Sequence, residues 1–295
     1  TSISLLNKVG SEVSVGQAIG MRDEVAARGF ATHNLTLSLM ISLVWASILF
    51  LFSVPIVEFY ELESHIAHNA VNYLRIVSTA FPFVFMSAAA TGIFNASGRS
   101  KIPFTINGLG LLINMVLDPL FIFVFKWGIQ GVAWATIIAQ AVAFCWQLKL
   151  FSRPTELLHL RRGIYRLRFD IVRQCLAIGL SPFLMNSCAC LVVLFCNNRL
   201  LQYGGDMAIG AYGIVNRVVF LFVTIVMGLV QGMQPIIGYN WGAKQNDRVF
   251  LVLRYSIIAA TCITLAGCLT GELIPATVIH IFGAGPKKKK KAVRA

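Results

Sequence analysis

Residues 92–125 read GIFNASGRSKIPFTINGLGLLINMVLDPLFIFVF, and this stretch decides the fold class. It passes from the end of one apolar segment, through a short basic turn, into a second apolar segment long enough to cross a bilayer. Small and polar residues recur through that second segment at spacings of three and four: Asn107, Gly110, Asn114 and Asp118. Side chains at this spacing share one face of a helix, so the stretch predicts a membrane span with one polar face.

The composition of the whole chain agrees with a membrane protein. Its 295 residues are 57% hydrophobic and only 13% charged, and the mean hydropathy is +0.74. The apolar residues form runs of about 20, the length of a spanning helix, rather than the shorter alternating segments of a barrel. Backbone groups in lipid must be hydrogen-bonded internally, which such helices achieve. We therefore predict an all-α polytopic protein of the cell (cytoplasmic) membrane.

Seven full spans are predicted. They are preceded by a partial helix in residues 1–19 that contains scattered polar residues. A search for apolar runs between polar turns places the spans at 33–57, 70–94, 102–125, 131–150, 175–195, 207–228 (extending to about 237) and 250–274.

Positive charge alternates between the turns. The turns at 22–28, 98–101, 149–173 and 244–254 hold 14 Lys and Arg, whereas those at 57–69, 126–128 and 198–206 hold 2. This alternation predicts that the first set is cytoplasmic. It accounts for the net charge of +13 without a nucleic-acid partner. The run Lys287–Lys291 does not fit, since it would lie outside; a lipid-binding basic patch is the functional alternative.

An internal repeat relates the two ends of the chain. A shift of 222 residues aligns Gly10 with Gly232, Gly16 with Gly238, Gly20 with Gly242 and Arg22 with Lys244. Copies six spans apart have the same membrane orientation, which predicts a parallel repeat building two lobes around a central site. We assign residues 1–150 to a first lobe lacking its first helix, 151–173 to a basic cytoplasmic linker, and 174–295 to an incomplete second lobe.

Polar residues inside the spans are the candidate site. Asp118 is an acid within a span and so predicts a functional site, although it could instead cap or bracket the end of its helix. The second lobe offers amides that either line a cavity or bond neighbouring helices: Asn186, Asn216, Gln231 and Gln234. Gly110, Pro182 and Pro235 are predicted packing and bending points. The seven cysteines are predicted to be small buried hydrophobes, and we expect neither a catalytic set nor a metal site.

Residues 95–140 (NASGRSKIPF…GIQGVAWATIIAQ) and 231–249 (QGMQPIIGYNWGAKQNDRV) resemble the multidrug and toxic compound extrusion (MATE) transporters, and the second segment looks most like a bacterial multidrug-export branch. The resemblance implies two six-helix lobes, of which this chain covers the end of the second span through the ninth. It implies export of small lipophilic cations in exchange for H⁺ or Na⁺, with no other cofactor, by a monomer in the lipid bilayer. Asp118 matches the LDP motif of the family's fifth span, whereas residues 175–195 lack the acid that another branch has in its seventh.

Three alternatives remain beside an antiporter. A lipid or oligosaccharide flippase of the same superfamily would need a strongly cationic cavity, and the spans show only Arg75 and Arg217. An intramembrane enzyme would need paired acids, a Ser/His pair or metal ligands within the spans, where Asp118 stands alone. The third alternative is a partial chain that is inactive by itself.

Overall fold

A computed structural model describes residues 2–58, 64–152 and 169–273, and no strand occurs in them. The all-α prediction is therefore confirmed. The elements in chain order are α1 (Ser2–Gly20), α2 (Glu24–Leu51), α3 (Ser53–Glu58), α4 (Ser64–Ser78), α5 (Phe81–Ala96), α6 (Lys101–Pro119) with a short π-helix (Leu120–Val124), α7 (Gly128–Phe151), α8 (Phe169–Gly242) and α9 (Asn246–Leu273).

Six helical segments in the described residues are long and apolar enough to span a membrane, and up to seven if a bent pair counts as one span. The bent pair corrects the predicted continuous span at 70–94: Ile66–Ser78 and Phe81–Ala96 meet at 45°. Pro82 lies in the first turn of α5 and has no N–H to continue the α4 ladder. The predicted span at 33–57 begins earlier, because Asp23 caps α2 by accepting from the Ala26 N–H at 2.9 Å.

Helix α1 is the centre of the bundle, although it is not among the apolar candidate spans. It packs against α2, α5 and α8, and none of the described side chains in 3–20 is exposed. Val15 and Ala18 join the main hydrophobic cluster with Ala31 of α2 and Ile93 of α5. A helix shielded by protein needs little lipid-compatible surface, so its polar residues do not argue against membrane depth.

Helix α8 folds back on itself. As one straight helix its 74 residues would be about 110 Å long. Yet α1 contacts it near both ends, at Cys175 through Gly10 and at Tyr239 through Gly16. The reversal is at Gly205, whose φ of 62° and ψ of −171° leave the helical region. A positive φ of this kind is accessible to glycine at little cost. We call Phe169–Leu200 the first arm of α8 and Val215–Gly242 its second arm.

The 222-residue repeat is visible in the backbone. After α1 the Asp23 N–H donates to the Ala18 carbonyl at 3.0 Å; after the second arm the Gln245 N–H donates to the Asn240 carbonyl at 2.9 Å. Arg22 has a φ of 58° and Lys244 a φ of 57°. Each pair of corresponding residues differs by 222, so both lobes end this helix with the same turn and the predicted parallel repeat is confirmed.

The two repeat copies cross each other through glycines. A Cβ on Gly20 would lie 2.0 Å from the carbonyl oxygen of Tyr239, and a Cβ on Gly242 would lie 2.1 Å from that of Gln17. Gly16 and Gly238 meet between these two contacts. The backbones of α1 and the second arm are thus in direct contact. We call the four residues Gly16, Gly20, Gly238 and Gly242 the glycine crossing.

The turns predicted to be cytoplasmic gather at one end of the first lobe. Phe94, near the end of α5, stacks on Phe151, the last residue of α7, with ring centroids 4.3 Å apart. The same cluster contains Ala18 near the end of α1 and Ala27 near the start of α2. The ends of α1, α5 and α7 and the start of α2 therefore lie together, as the charge pattern requires. The side of the membrane that they face stays a prediction.

Sidedness is testable with single cysteines in the full-length protein, in a background lacking native cysteines. Gln245→Cys is expected to react with a membrane-impermeant thiol reagent only from the cytoplasm, since its turn is basic. Tyr203→Cys, at an 81% exposed position beside the reversal of α8, is expected to react only from outside. The opposite pattern in intact cells would invert the proposed topology.

The cysteine prediction is wrong for most of the seven. All are free thiols, and only Cys175 is buried. Cys196 is half-buried, and the others are exposed within this chain. Four of the exposed cysteines lie on α8 and α9, whose outer faces are not covered by protein: no described residue of α9 is buried. Cys145 lies on an exposed part of α7. Most of the predicted linker and the whole Lys287–Lys291 run fall outside the described residues. The lobe boundaries stay a prediction.

Candidate functional site

The polar row of α6 faces α7. The Asn114 amide donates to the Thr136 hydroxyl at 3.4 Å, and the Gln147 amide of α7 donates to the Asn107 carbonyl oxygen at 3.5 Å. Gly110 lies between them, where an added Cβ would be 3.4 Å from the Ala143 side chain. The structure therefore brings Asn107, Gly110 and Asn114 to one helix face, as their spacing predicts. Asn107 also donates across to α5, at 3.3 Å from the Thr91 hydroxyl.

Asp118 continues this row one turn beyond Asn114. Its Oδ1 is buried and has no hydrogen-bond partner, and the π-helix begins two residues later. A buried carboxylate oxygen without a donor is costly, and a bound proton or cation would offset that cost. Asn114, one turn before Asp118 on the same face, is itself bonded to the Thr136 hydroxyl of α7, and such oxygen-bearing groups are the type of ligand that a small hard cation prefers. Asp118 is thus the candidate ion-binding residue of the α6 row.

The amides of α8 do not form a single group. Asn186 donates to the Pro182 carbonyl at 2.8 Å, a bond within its own helix. Asn216 is half-buried and precedes Gln231 by 15 residues, which is about 22 Å of helix. Gln234 has a buried Oε1 without a partner. Of the predicted amides of α8, Gln231 is the one that the structure joins to the other lobe.

The prolines of α8 lie inside continuous helix. The helix runs through Pro182 in the first arm and Pro235 in the second. Proline has no N–H for the carbonyl four residues earlier, which for Pro235 is that of Gln231. Both prolines are therefore placed where a bend can form, and the backbone beside Gln231 is the weakest part of the second arm's ladder.

Two charged residues of α1 were missed as site candidates. The Lys8 ammonium donates to the side-chain amide oxygen (Oε1) of Gln231 on the second arm. Glu12, one turn further along α1, is 0% exposed, and its Oε1 accepts from the Asn95 amide of α5 at 3.4 Å. Lys8 thus adds a positive charge within the helix bundle to Arg75 and Arg217, the two that the sequence places inside the spans. The four-residue spacing of Lys8 and Glu12, which places both on one helix face, was a visible signal. The low hydropathy of α1, however, did not indicate that this helix lies inside the bundle.

Other ionisable clusters are sparse. Arg75 of α4 donates to the Ser53 hydroxyl of α3 at 2.9 Å, and Arg217 is exposed on the second arm. No group of three or more His, Cys, Asp and Glu side chains that could hold a metal ion lies within 2–58, 64–152 or 169–273.

Curated relatives of this chain are named as multidrug export or multidrug resistance proteins. It is 26% identical over 287 residues to a protein named multidrug export protein MepA from Staphylococcus haemolyticus, covering 95% of this chain and 61% of that protein. It is 28% identical over 259 residues to the probable multidrug resistance protein YoeA from Bacillus subtilis, covering 84% of this chain and 55% of that one. The chain thus spans little more than half the length of these relatives.

Solved structures show the same fold. An outward-facing multidrug resistance MATE family transporter of the MOP superfamily superposes with a TM-score of 0.88 at 21% identity, over 99% of this chain and 66% of that one. A MATE structure in the straight conformation gives a TM-score of 0.92 at 21% identity, over 99% and 65%. The family model described as MatE matches residues 1–120 and 177–295. With its repeat, its polar α6 face and its multi-pass helices, this chain belongs to the MatE family.

Proposed function

We propose that the full-length protein is a secondary active multidrug antiporter that exports small lipophilic cations in exchange for H⁺ or Na⁺ by alternating access. The observation that carries this proposal is the glycine crossing, where two lobes related by the 222-residue repeat meet. Two similar bundles in contact at one end can rock between an outward-open and an inward-open arrangement. Backbone contact through glycines allows this movement without repacking large side chains.

Asp118 is the proposed coupling site in the first lobe. Its unpartnered oxygen, the adjacent Asn114 amide and the oxygen of Thr136 form the oxygen-rich end of the α6 row. A coupling ion can shift the two-state equilibrium only by binding one state more tightly. Asp118 is half-buried one turn beyond the bond between Asn114 of α6 and Thr136 of α7, so a change in the packing of these helices would change that affinity.

The substrate class is proposed from charge and from the printed names of the relatives. Lipophilic cations are attracted by a carboxylate and by aromatic faces. Lys8 is the observation that favours the flippase alternative, because a half-buried ammonium within the bundle attracts phosphate. Its charge lies beside that of Glu12 on the same helix, so the pair contributes little net charge. An intramembrane enzyme finds no support in the described side chains.

Export is expected in cells that express the full-length protein. Accumulation of several cationic dyes should fall severalfold relative to cells with empty vector, and collapse of the ion gradients should restore it. The measurement is dye fluorescence per cell at matched surface expression. Unchanged retention of every dye, with the protein verified in the membrane, would contradict multidrug export. The 295-residue chain expressed alone serves as a test of whether this part transports by itself.

A further inference from the structure

Lys8, Glu12, Asn95 and Gln231 form a polar chain that crosses the boundary between the lobes. Asn95 of α5 contacts Glu12 of α1, and Lys8 of α1 contacts Gln231 of the second arm. Lys8 precedes Gly20 by 12 residues, about 18 Å of helix, so the chain lies well inside the bundle above the glycine crossing. It does not include Asp118 or its neighbours on α6 and α7.

Glu12 is unusually isolated for a carboxyl group. The side chain is 0% exposed, its Oε1 has only the long contact with Asn95, and its Oε2 has no hydrogen-bond partner. Helix α5 is packed closely against this turn: a Cβ on Gly92 would lie 2.5 Å from the Lys8 carbonyl oxygen. No room is left there for a shell of water. The charge of Glu12 is then balanced by the ammonium of Lys8 one turn away.

We propose that Glu12 is a proton-binding switch for the contact between the lobes, acting through Lys8. With Glu12 ionised, the half-buried ammonium of Lys8 has a counter-charge and remains on the side-chain oxygen of Gln231, which holds the second arm against α1. With Glu12 protonated, Lys8 keeps its charge but loses the counter-charge. A buried charge without a partner is strongly unfavourable. Separation of the lobes hydrates the ammonium, so proton uptake opens the glycine crossing.

The other ionisable groups around α1 lie elsewhere. Helix α5 carries none. On α2, Glu24 and Arg28 bond each other at 3.2 Å, and the ring of the buried His33 is bonded to the Gly29 carbonyl of its own helix. On the first arm, Cys175 contacts Ser14 and Asn34, away from the Asn95 side. The second arm contributes two ionisable side chains, and both are exposed: Arg217 and Tyr239. Lys8 is therefore the charge that Glu12 faces.

Opening of the glycine crossing when Glu12 is protonated is the direction that proton-driven export requires. The inference rests on the proposed antiport. An exporter that has released its substrate outside must return to the inward-open state when it carries a proton. A proton on Glu12 weakens the contact that keeps the predicted cytoplasmic end closed. The Asp118 site and the Glu12 switch are separate. The first binds an ion within one lobe, and the second weakens the contact between the lobes when Glu12 is protonated.

The test measures the opening of the crossing directly in the full-length protein, without substrate. Spin labels are attached at Val25→Cys and Asp247→Cys, exposed positions related by the repeat in the helices that follow the two turns, after removal of native cysteines. In the wild-type background we expect the longer of two distances to gain population as pH falls. Glu12→Gln is expected to lose this response and to show the longer distance at every pH. Glu272→Gln, an exposed acid of α9, is the matched control and should respond like wild type.

A distance distribution of Glu12→Gln that follows pH as in wild type would overturn the proposal, and so would a wild-type distribution that ignores pH. Should Glu12→Gln fail to fold, Lys8→Met is measured instead and is expected to lose the pH response. A Lys8→Met protein with the full response would equally refute the switch. Because no substrate is present, the result is independent of dye export: export without a pH-dependent distance overturns the switch alone, and a pH-dependent distance without export overturns the antiport alone.

Discussion

Replacing Gly20 with alanine is expected to force the glycine crossing open. The added Cβ would lie 2.0 Å from the Tyr239 carbonyl oxygen and 2.9 Å from the Ala243 nitrogen. Both are backbone atoms and cannot turn aside as a flexible side chain does. Overpacking of this kind costs about 1–3 kcal/mol, which corresponds to roughly a 5- to 150-fold shift between two conformations. The closed arrangement should therefore become the minor one.

The measurement is the distance between labels at positions 25 and 247, together with dye export at matched surface expression. Gly242→Ala should act like Gly20→Ala, because its Cβ would lie 2.1 Å from the Gln17 carbonyl oxygen. Gly232→Ala is the control: this glycine is on the same helix as Gly242 and an added Cβ would meet nothing within 4 Å. Equal behaviour of Gly20→Ala and Gly232→Ala would show that the crossing does not hold the lobes together.

Asp118→Asn is expected to abolish ion-coupled export while the protein still folds and inserts. The change keeps the shape of the side chain and removes the charge that H⁺ or Na⁺ must balance. Because Oδ1 has no partner to lose, the cost in stability should be small. Transport driven by an imposed ion gradient in proteoliposomes, compared with thermal stability of the same preparation, measures both effects.

A structural role for Asp118, the alternative to ion coupling, predicts the opposite result. A structural acid at the end of α6 would lower expression or thermal stability when neutralised, and the surviving protein would transport normally. Glu272→Gln should leave both quantities unchanged, since that carboxyl group is exposed on α9. Normal coupling in Asp118→Asn would remove the acid from the proposed mechanism.

Much of the architecture could be predicted because lipid imposes strong rules on sequence. The span Lys101–Val124 was predicted within one residue at each end, since a mostly apolar run without Lys or Arg is bounded there by lysines. The face of α6 followed from spacing alone, because Asn107, Gly110 and Asn114 recur with the helical period. The repeat was detectable because the close contact between α1 and the second arm needs glycines at equivalent positions of both copies, Gly20 and Gly242 among them.

The sequence was less informative about helices that are surrounded by protein rather than by lipid. Lys8 and Glu12 lower the mean hydropathy of α1, which argues against a helix inside the bundle. In the structure, however, α1 is enclosed by α2, α5 and α8. The break at Thr79 and Ala80 was missed because apolar residues continue through it. Contacts across the lobes depend on which helices meet, and no local pattern gives that information. The bond from Lys8 to Gln231 joins residues 223 apart in sequence, so it required the fold.

The glycine crossing also has a bearing on how such a chain could arise. Gly20 meets Tyr239 while Gln17 meets Gly242, and each contact becomes the other when the two repeat copies are exchanged. That reciprocity defines an isologous interface, the form taken by two identical subunits about a twofold axis. A shorter chain holding a single copy of this segment could pair with a second molecule of itself through the same contact. Fusion of two such genes would then preserve the interface while freeing each half to diverge, so that a charge such as Lys8 exists in one half and faces an amide in the other.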